Sequence, residues 1–343
     1  MNNRDRASYI PVGTFLSGGL DSSVVVAFAR EQNPNFRCFT IEVIGGQEAG
    51  ATDDLPYARR VAKRLGVALD VVSIDAGRMA GDLERMVAQL DEPLADPAPL
   101  NVPYISQLAR EQGIKVLLSG AGLDGDARLV HYFCWVSESR LRALYAPAFR
   151  ARLGNAHAIA PMLEFLQPLS AQAEPLERML ALEQRFFLAD HNLIYTDKMS
   201  MAAGVEVRVP FLDMDLVDFA ARVPIKYKQR GPVGKWVLKK AMEPYLPHDV
   251  IYRPKSGFGA PLRRWMRHDL RELPGDLLST ESLTRRGLFE PMAVQRLMAA
   301  NDEGRVDASY TLLSLLCIEI WCRTFMDGSP RKSPSIPLYQ RGR

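Results

Sequence analysis

Leu16-Ser17-Gly18-Gly19-Leu20-Asp21-Ser22-Ser23 follows directly on an apolar, strand-like run and opens a helix that begins Val24-Val25-Val26-Ala27-Phe28. A strand-to-helix turn with two glycines and three serines gathers main-chain N–H groups and hydroxyls at a helix N-terminus. Hydrogen bonding and the helix dipole both favour phosphate oxygens there. Glycine allows close backbone approach, and serine adds donors. A carboxylate in the same loop would repel phosphates unless a divalent cation lies between them, so Asp21 predicts Mg²⁺. The plainer reading is a tight turn in which Ser and Asp cap a helix.

Outward from this loop, residues 11–16, 36–43, 68–74 and 114–118 are short, apolar and rich in β-branched side chains, and read as buried strands. Residues 22–32, 54–65, 78–90 and 101–112 carry helical spacing, with Gly66 and Gly113 where helix C-caps are expected. This alternation predicts an α/β fold: a mainly parallel sheet covered by helices on both faces, with ligands at the carboxyl ends of the strands. From about residue 151 the strand signals fade. Amphipathic stretches at 174–188, 212–222, 233–243, 292–300 and 308–326 predict a mainly helical C-terminal half. The expected division is an N-terminal extension at 1–9, an α/β core at 10–150, a helical part at 151–326 and a disordered tail at 327–343, where Pro, Ser, Arg and Lys leave little to bury.

The chain has 343 residues, 47% of them hydrophobic, with 43 Lys+Arg against 40 Asp+Glu. A length prior of ~150 residues per domain gives about two domains. The near-balanced charge offers no broad field for a nucleic-acid backbone or an anionic membrane. No apolar run approaches the ~20 residues that span a bilayer, and the opening Met1-Asn2-Asn3-Arg4-Asp5-Arg6 lacks the apolar stretch of a signal peptide. A cytoplasmic protein with neither a nucleic-acid nor a membrane partner is expected. Cys38, Cys134, Cys317 and Cys322 form no C-x-x-C pair and sit in apolar surroundings, so buried reduced thiols are expected.

A second loop, Ser119-Gly120-Ala121-Gly122-Leu123-Asp124-Gly125, follows the fourth expected strand. Its Gly120–Gly125 portion also fits G-x-G-x-x-G, the dinucleotide-binding fingerprint. That fingerprint belongs after the first strand of its unit, and Asp124 would face an unneutralised pyrophosphate. Further along come Asp197-Lys198-Met199-Ser200-Met201 with Glu206-Val207-Arg208-Val209-Pro210-Phe211-Leu212-Asp213, then Gly234-Lys235-Trp236-Val237-Leu238-Lys239, and Arg253-Pro254-Lys255-Ser256-Gly257-Phe258. A lysine between proline and a Gly-Phe-Gly turn can direct a fixed positive charge at a triphosphate. The run around Glu206 and Arg208 suits partly buried ion pairs, which would equally serve to hold helices against the sheet.

Together these segments resemble the ATP pyrophosphatases, and most closely the synthetase domain of glutamine-dependent asparagine synthetases. The first loop is similar to the family's pyrophosphate loop. The second is similar to S-G-E-G-x-D-E, the third to D-K-M-S-M-x-x-x-x-E-x-R-V-P-F-L-D, and the last two to G-K-x-x-L-K and R-P-K-x-G-F. Asp91-Glu92-Pro93-Leu94-Ala95-Asp96 resembles a D-x-P-x-x-D loop bordering the amino-acid site. The resemblance covers about residues 10 to 270 and implies an adenine nucleotide α-hydrolase-like (PP-loop) fold. It implies ATP and Mg²⁺ as cofactors, with Asp21 and Asp124 as the metal carboxylates and Lys255 as the catalytic cation. Leu16, Ser17, Gly18, Gly19, Leu20, Ser22, Ser23, Ile41, Ser119 and Gly120 would form the ATP and pyrophosphate site. Asp197, Glu206, Arg208 and Lys235 would be substrate-side or scaffold residues.

The reaction so implied is adenylation of a carboxylate, aspartate first, with release of pyrophosphate and then transfer of ammonia and release of AMP. Ala121 stands where asparagine synthetases carry glutamate, which leaves open another acceptor, such as a sugar acid of a surface polysaccharide, or a weakened nucleotide-binding homologue. Glutamine-dependent members take ammonia from a preceding glutaminase domain with an N-terminal cysteine. Residues 1–10 hold no such domain, so free ammonia, a separate glutaminase subunit or a longer parent chain is expected, with no glutaminase activity from these residues.

Overall fold

The structure, a computed structural model, describes residues 11–33, 35–44, 53–94, 96, 98–112, 116–118, 136–169, 173–253 and 261–327. The chain divides into two compact units, neither of them contiguous: residues 1–75, 97–140 and 154–262 form one, and 76–96, 141–153 and 263–343 the other.

The first unit is built on five parallel strands: β1 (Val12–Phe15), β2 (Arg37–Val43), β3 (Ala68–Ile74), β4 (Val116–Leu118) and β5 (Glu206–Arg208), in the order β3-β2-β1-β4-β5. Helices α1 (Leu20–Gln32) and α2 (Asp54–Leu65) carry the chain from β1 through β2 to β3 in one direction. It then returns to the other side of β1, so the strand order reverses between β1 and β4. Ligands of open parallel sheets bind in the crevice that such a reversal leaves at the carboxyl ends. Leu16 still donates to Phe39 O at 2.9 Å, so the turn beyond it starts from a backbone tied to β2.

Successive side chains of a strand point to opposite faces. Cys38 enters a core with Val24, Val25 and Val26 of α1 and Ala58, Val61 and Leu65 of α2. Phe39 points the other way, where α4 (Ala98–Glu111, after α3 at Ala76–Gln89) brings Val102 and Ile105. The core on the Cys38 face is completed from far along the chain by Met242, Leu246, Val250 and Ile251. This buried segment lies between Lys235 and Arg253, and its burial fixes where both side chains can reach.

The expected elements appear with shifts of at most three residues, and Gly66 caps α2 in a left-handed conformation, φ 64°. Gly113 lies outside the described residues. Three features depart from expectation. β5 comes from the half expected to be helical; three residues with charges at both ends carry no readable strand pattern, and it forms by pairing with β4. The expected helix at 174–188 is an α-helix, Pro175–Leu182, then a π-helix, Glu183–Leu193, continuing into the α-helix Ile194–Ala202. The third is the location of α3. Its buried face, Met79, Leu83, Met86 and Val87, belongs to the second unit and packs on the helix Ser309–Phe325.

In that second unit the buried Glu319 accepts from Arg286 Nε at 2.9 Å, Arg323 Nε at 2.8 Å and Ser282 Oγ at 3.0 Å. Burial alone would raise the Glu319 carboxyl, but these donors hold it below its usual range. Arg286 also grips Asp327, at 2.9 and 2.7 Å, so the first residue of the expected tail is held; residues 328–343 lie outside the described residues.

Two predictions follow from this packing. Gly18 has φ +70°, and a Cβ there would collide with the main-chain nitrogen of Ala58 and with Tyr57 in α2. Gly18→Ala is expected to cost at least about 1–2 kcal/mol from the left-handed backbone alone. Calorimetry should show a Tm lowered by several degrees. Burial pushes the Cys38 and Cys317 thiols up to about 12, and Cys322 is raised as well. All three should therefore resist a thiol reagent at pH 8 until denaturant is added, whereas rapid native labelling of any of them would contradict the packing.

Candidate functional site

A cavity of about 240 Å³ lies at the carboxyl ends of β1 and β2. Its floor comes from Phe15, Leu16, Ser17, Gly19, Asp21 and Ser22, the turn after β1. Phe39 and Thr40 of β2 and Val102 and Ile105 of α4 give a mostly apolar side, and Asn192, Tyr195 and Thr196 form the far wall. An apolar slot against a donor-rich turn accommodates a flat, uncharged body with an anionic end.

The turn is stiffened by its own hydroxyls. Ser17 Oγ lies 3.1 Å from Ser22 Oγ and 3.3 Å from Gly19 N, which donates to it. Ser23 Oγ donates to Gly19 O at 2.6 Å and Ser22 Oγ to the same oxygen at 3.2 Å. Ser23 is fully buried, so its hydroxyl holds the turn; Ser17 and Ser22 face the cavity. Gly18 faces α2 instead, and Leu20 and Ile41 pack in the interior; none of these lines the cavity.

The Asp21 carboxylate has a cation beside it. Lys235 Nζ donates to Asp21 Oδ2 at 2.6 Å, joining residues 214 apart in the chain. Lys235 stands just before the helix Trp236–Met242 with φ 53°, the one non-glycine positive φ among the described residues. A left-handed backbone costs a non-glycine residue roughly 1–2 kcal/mol. Such a conformation persists where the surroundings determine it, and it is a common mark of functional sites.

A second cation reaches the same turn. The Arg253 side chain is 6% exposed. Its Nη2 donates to Asp54 Oδ1 at 2.5 Å and its Nη1 to Gly18 O at 3.4 Å, and the guanidinium lies 4.6 Å from the Tyr57 ring centroid. Burial raises the Asp54 carboxyl, and the hydrogen bond and charge of Arg253 oppose this.

The other expected site residues are distributed as follows. Glu206 and Arg208 pair with one another at 2.7 Å on β5, and with the Glu206 side chain 54% exposed this pair is less buried than its sequence implied. Asp197 is exposed on the helix Ile194–Ala202 and does not line the cavity. Ser119, Gly120, Ala121, Asp124 and Lys255 lie outside the described residues. Sequence reasoning missed Asn192, Tyr195 and Thr196. Their i, i+3, i+4 spacing was the available signal. It missed Arg253 too, although that residue adjoins Pro254-Lys255.

Among the described residues no three His, Cys, Asp or Glu side chains gather to hold a metal. Asp21 is the one carboxylate among the described residues that line the cavity, beside the donor-rich turn, which fits one ligand of a divalent cation bound together with phosphates.

The chain resembles known proteins over nearly its whole length. A Mycobacterium tuberculosis protein assigned as a glutamine-hydrolysing asparagine synthetase is 28% identical over 96% of this chain and 57% of its own length. Asparagine synthetase (glutamine-hydrolysing) 1 of Bacillus subtilis is 26% identical over 92% of this chain and 56% of its own. A Penicillium rubens protein named amidase chyE is 23% identical over 83% of this chain. The chain thus spans a little over half the length of these synthetases. The sequence profile of asparagine synthase matches residues 4–323, and the chain belongs to the asparagine synthase family.

Proposed function

We propose that this chain is the synthetase part of an ATP-dependent, amide-forming ligase with a PP-loop fold, acting in the cytoplasm. The observation that carries the reading is the Asp21–Lys235 contact: a carboxylate and its counter-cation at the mouth of a donor-rich turn, beside an apolar slot. An amine does not displace the oxygen of a carboxylate in water without activation, because the leaving group is poor. Attack of the carboxylate on the α phosphorus of ATP makes an acyl adenylate and expels pyrophosphate. Ammonia then forms the C–N bond, loses a proton and expels AMP.

The residues of the cavity and the turn divide this work. Leu16, Phe39, Val102 and Ile105 enclose the base and exclude water. Ser17, Gly19 and Ser22 donate to the departing pyrophosphate, while Gly18, Leu20 and Ser23 keep the turn in shape. Lys235 balances Asp21, so that the turn stays attractive to anions despite its carboxylate. Mg²⁺, when bound, would neutralise the charge growing on pyrophosphate, with Asp21 as one of its carboxylates and Asp124 the other. Lys255 adds the fixed cation for the oxyanion and the leaving phosphate.

The acceptor is aspartate in the first reading. The relatives' names and the D-K-M-S-M stretch support it. Alanine at 121 favours a second reading, in which another carboxylate, such as a sugar acid, is amidated. Ammonia comes from solution, from a glutaminase region of a longer protein or from a separate glutaminase subunit.

Pyrophosphate release from ATP with Mg²⁺, aspartate and ammonium tests this. Pyrophosphate with asparagine supports the first reading, pyrophosphate without asparagine the second, and failure to bind ATP sinks both. Asp21→Ala is expected to abolish turnover, and Lys235→Ala to lower kcat/KM on the order of 10²-fold, because it leaves the Asp21 charge unopposed beside the phosphates.

A further inference from the structure

The Gly18–Gly19 peptide can point either of two ways. Two glycines in succession tolerate both orientations, because neither carries a Cβ to forbid one of them. A turn that must present N–H groups to an anion therefore needs something to select the orientation. In a trans peptide the carbonyl and the following N–H point in opposite directions. Holding Gly18 O on one side consequently aims Gly19 N–H to the other.

Arg253 holds that carbonyl. Its Nη1 meets Gly18 O at 3.4 Å from the side of α2, and Gly19 N–H, opposite, reaches Ser17 Oγ in the cavity lining. The guanidinium has little freedom to move away. It is buried, donates from Nη2 to Asp54 Oδ1 at 2.5 Å and is laid over Tyr57, and the segment before it is locked in the core by Val250 and Ile251. A buried guanidinium left unpaired costs several kcal/mol, so the Asp54 contact is what lets Arg253 be there at all. The contact to Gly18 is a separate matter, which the second arm of the fork makes possible and a lysine could not reproduce.

We propose that Arg253 is a positioning residue that selects the Gly18–Gly19 peptide orientation in which Gly19 N–H is presented to the phosphate groups bound by the turn. This deepens the functional reading above and rests on it.

The test uses the whole chain, inorganic pyrophosphate with Mg²⁺ as the probe, and ¹⁵N-glycine labelling to follow the Gly19 amide. Arg253→Lys keeps the charge facing Asp54 and loses the fork. It is expected to retain a near-native Tm, to shift the Gly19 amide resonance and to bind pyrophosphate about tenfold more weakly, the equivalent of about 1.4 kcal/mol. The double variant Arg253→Met with Asp54→Asn removes the pair without stranding a charge, and is expected to show the same loss and the same shift. Native-like affinity with an unmoved Gly19 amide in either folded variant would overturn the proposal. So would affinity and Tm falling together in both, which is the signature of a merely structural tie. If the unaltered protein itself fails to bind pyrophosphate, the reading of the turn as a phosphate site falls, and this proposal with it.

Discussion

A carboxylate inside a turn whose N–H groups and helix dipole attract anions works against the turn's purpose, since its charge repels any phosphate that arrives. Asp21 occupies that position, and much of the first unit can be understood as making it tolerable. The counter-charge is Lys235, brought from 214 residues away to 2.6 Å. It can be delivered only because Met242, Leu246, Val250 and Ile251 are buried against α1 and α2, which fixes the segment on whose flank it lies. Its left-handed backbone is a local cost accepted for the direction it gives the side chain. The same buried segment delivers Arg253 from its other flank, so two cations reach one turn from a single packed element.

Hydroxyls and glycines in the turn divide the work in a way that their sequence does not distinguish. The five small residues of the turn, Ser17, Gly18, Gly19, Ser22 and Ser23, look equivalent as phosphate donors. Packing separates them: Ser23 spends its hydroxyl on Gly19 O in full burial, and Gly18 lies so near α2 that no side chain fits. Ser17, Gly19 and Ser22 are left to line the cavity. Two of the five thus serve to hold the other three.

How much of this could be read beforehand follows from the range of the interactions involved. Strands β1 to β3 and helices α1 and α2 announce themselves through local pattern, because short apolar runs alternate with helical spacing and α2 is bounded by its own capping residues, Asp53 and Gly66. The turn was legible for the same reason: its chemistry is contiguous. The pairing of Glu206–Arg208 with β4 was not, since three residues carry too few side chains for a period. Nor was the meeting of Arg253 with Gly18, which are 235 residues apart. The departure from α-helical hydrogen bonding between Glu183 and Leu193 was hidden too, because it lies in the backbone pairing, which no residue type in that stretch signals.

That wider helix bears on how the cavity can change over evolutionary time. In an α-helix each residue turns the following side chains by about 100°, so gaining or losing one residue reorients everything beyond it. A stretch already bonded in the looser pattern can absorb such a change within itself. Asn192 lies inside that stretch, and Tyr195 and Thr196 just past its end. A single insertion or deletion between Glu183 and Leu193 would therefore be taken up inside the stretch, where Asn192 lies, while Tyr195 and Thr196 beyond it keep their aim and β1, the turn and α1 stay as they are. The two sides of the cavity are free to drift at different rates, one held by a sheet and the other hung on a helix whose register is adjustable.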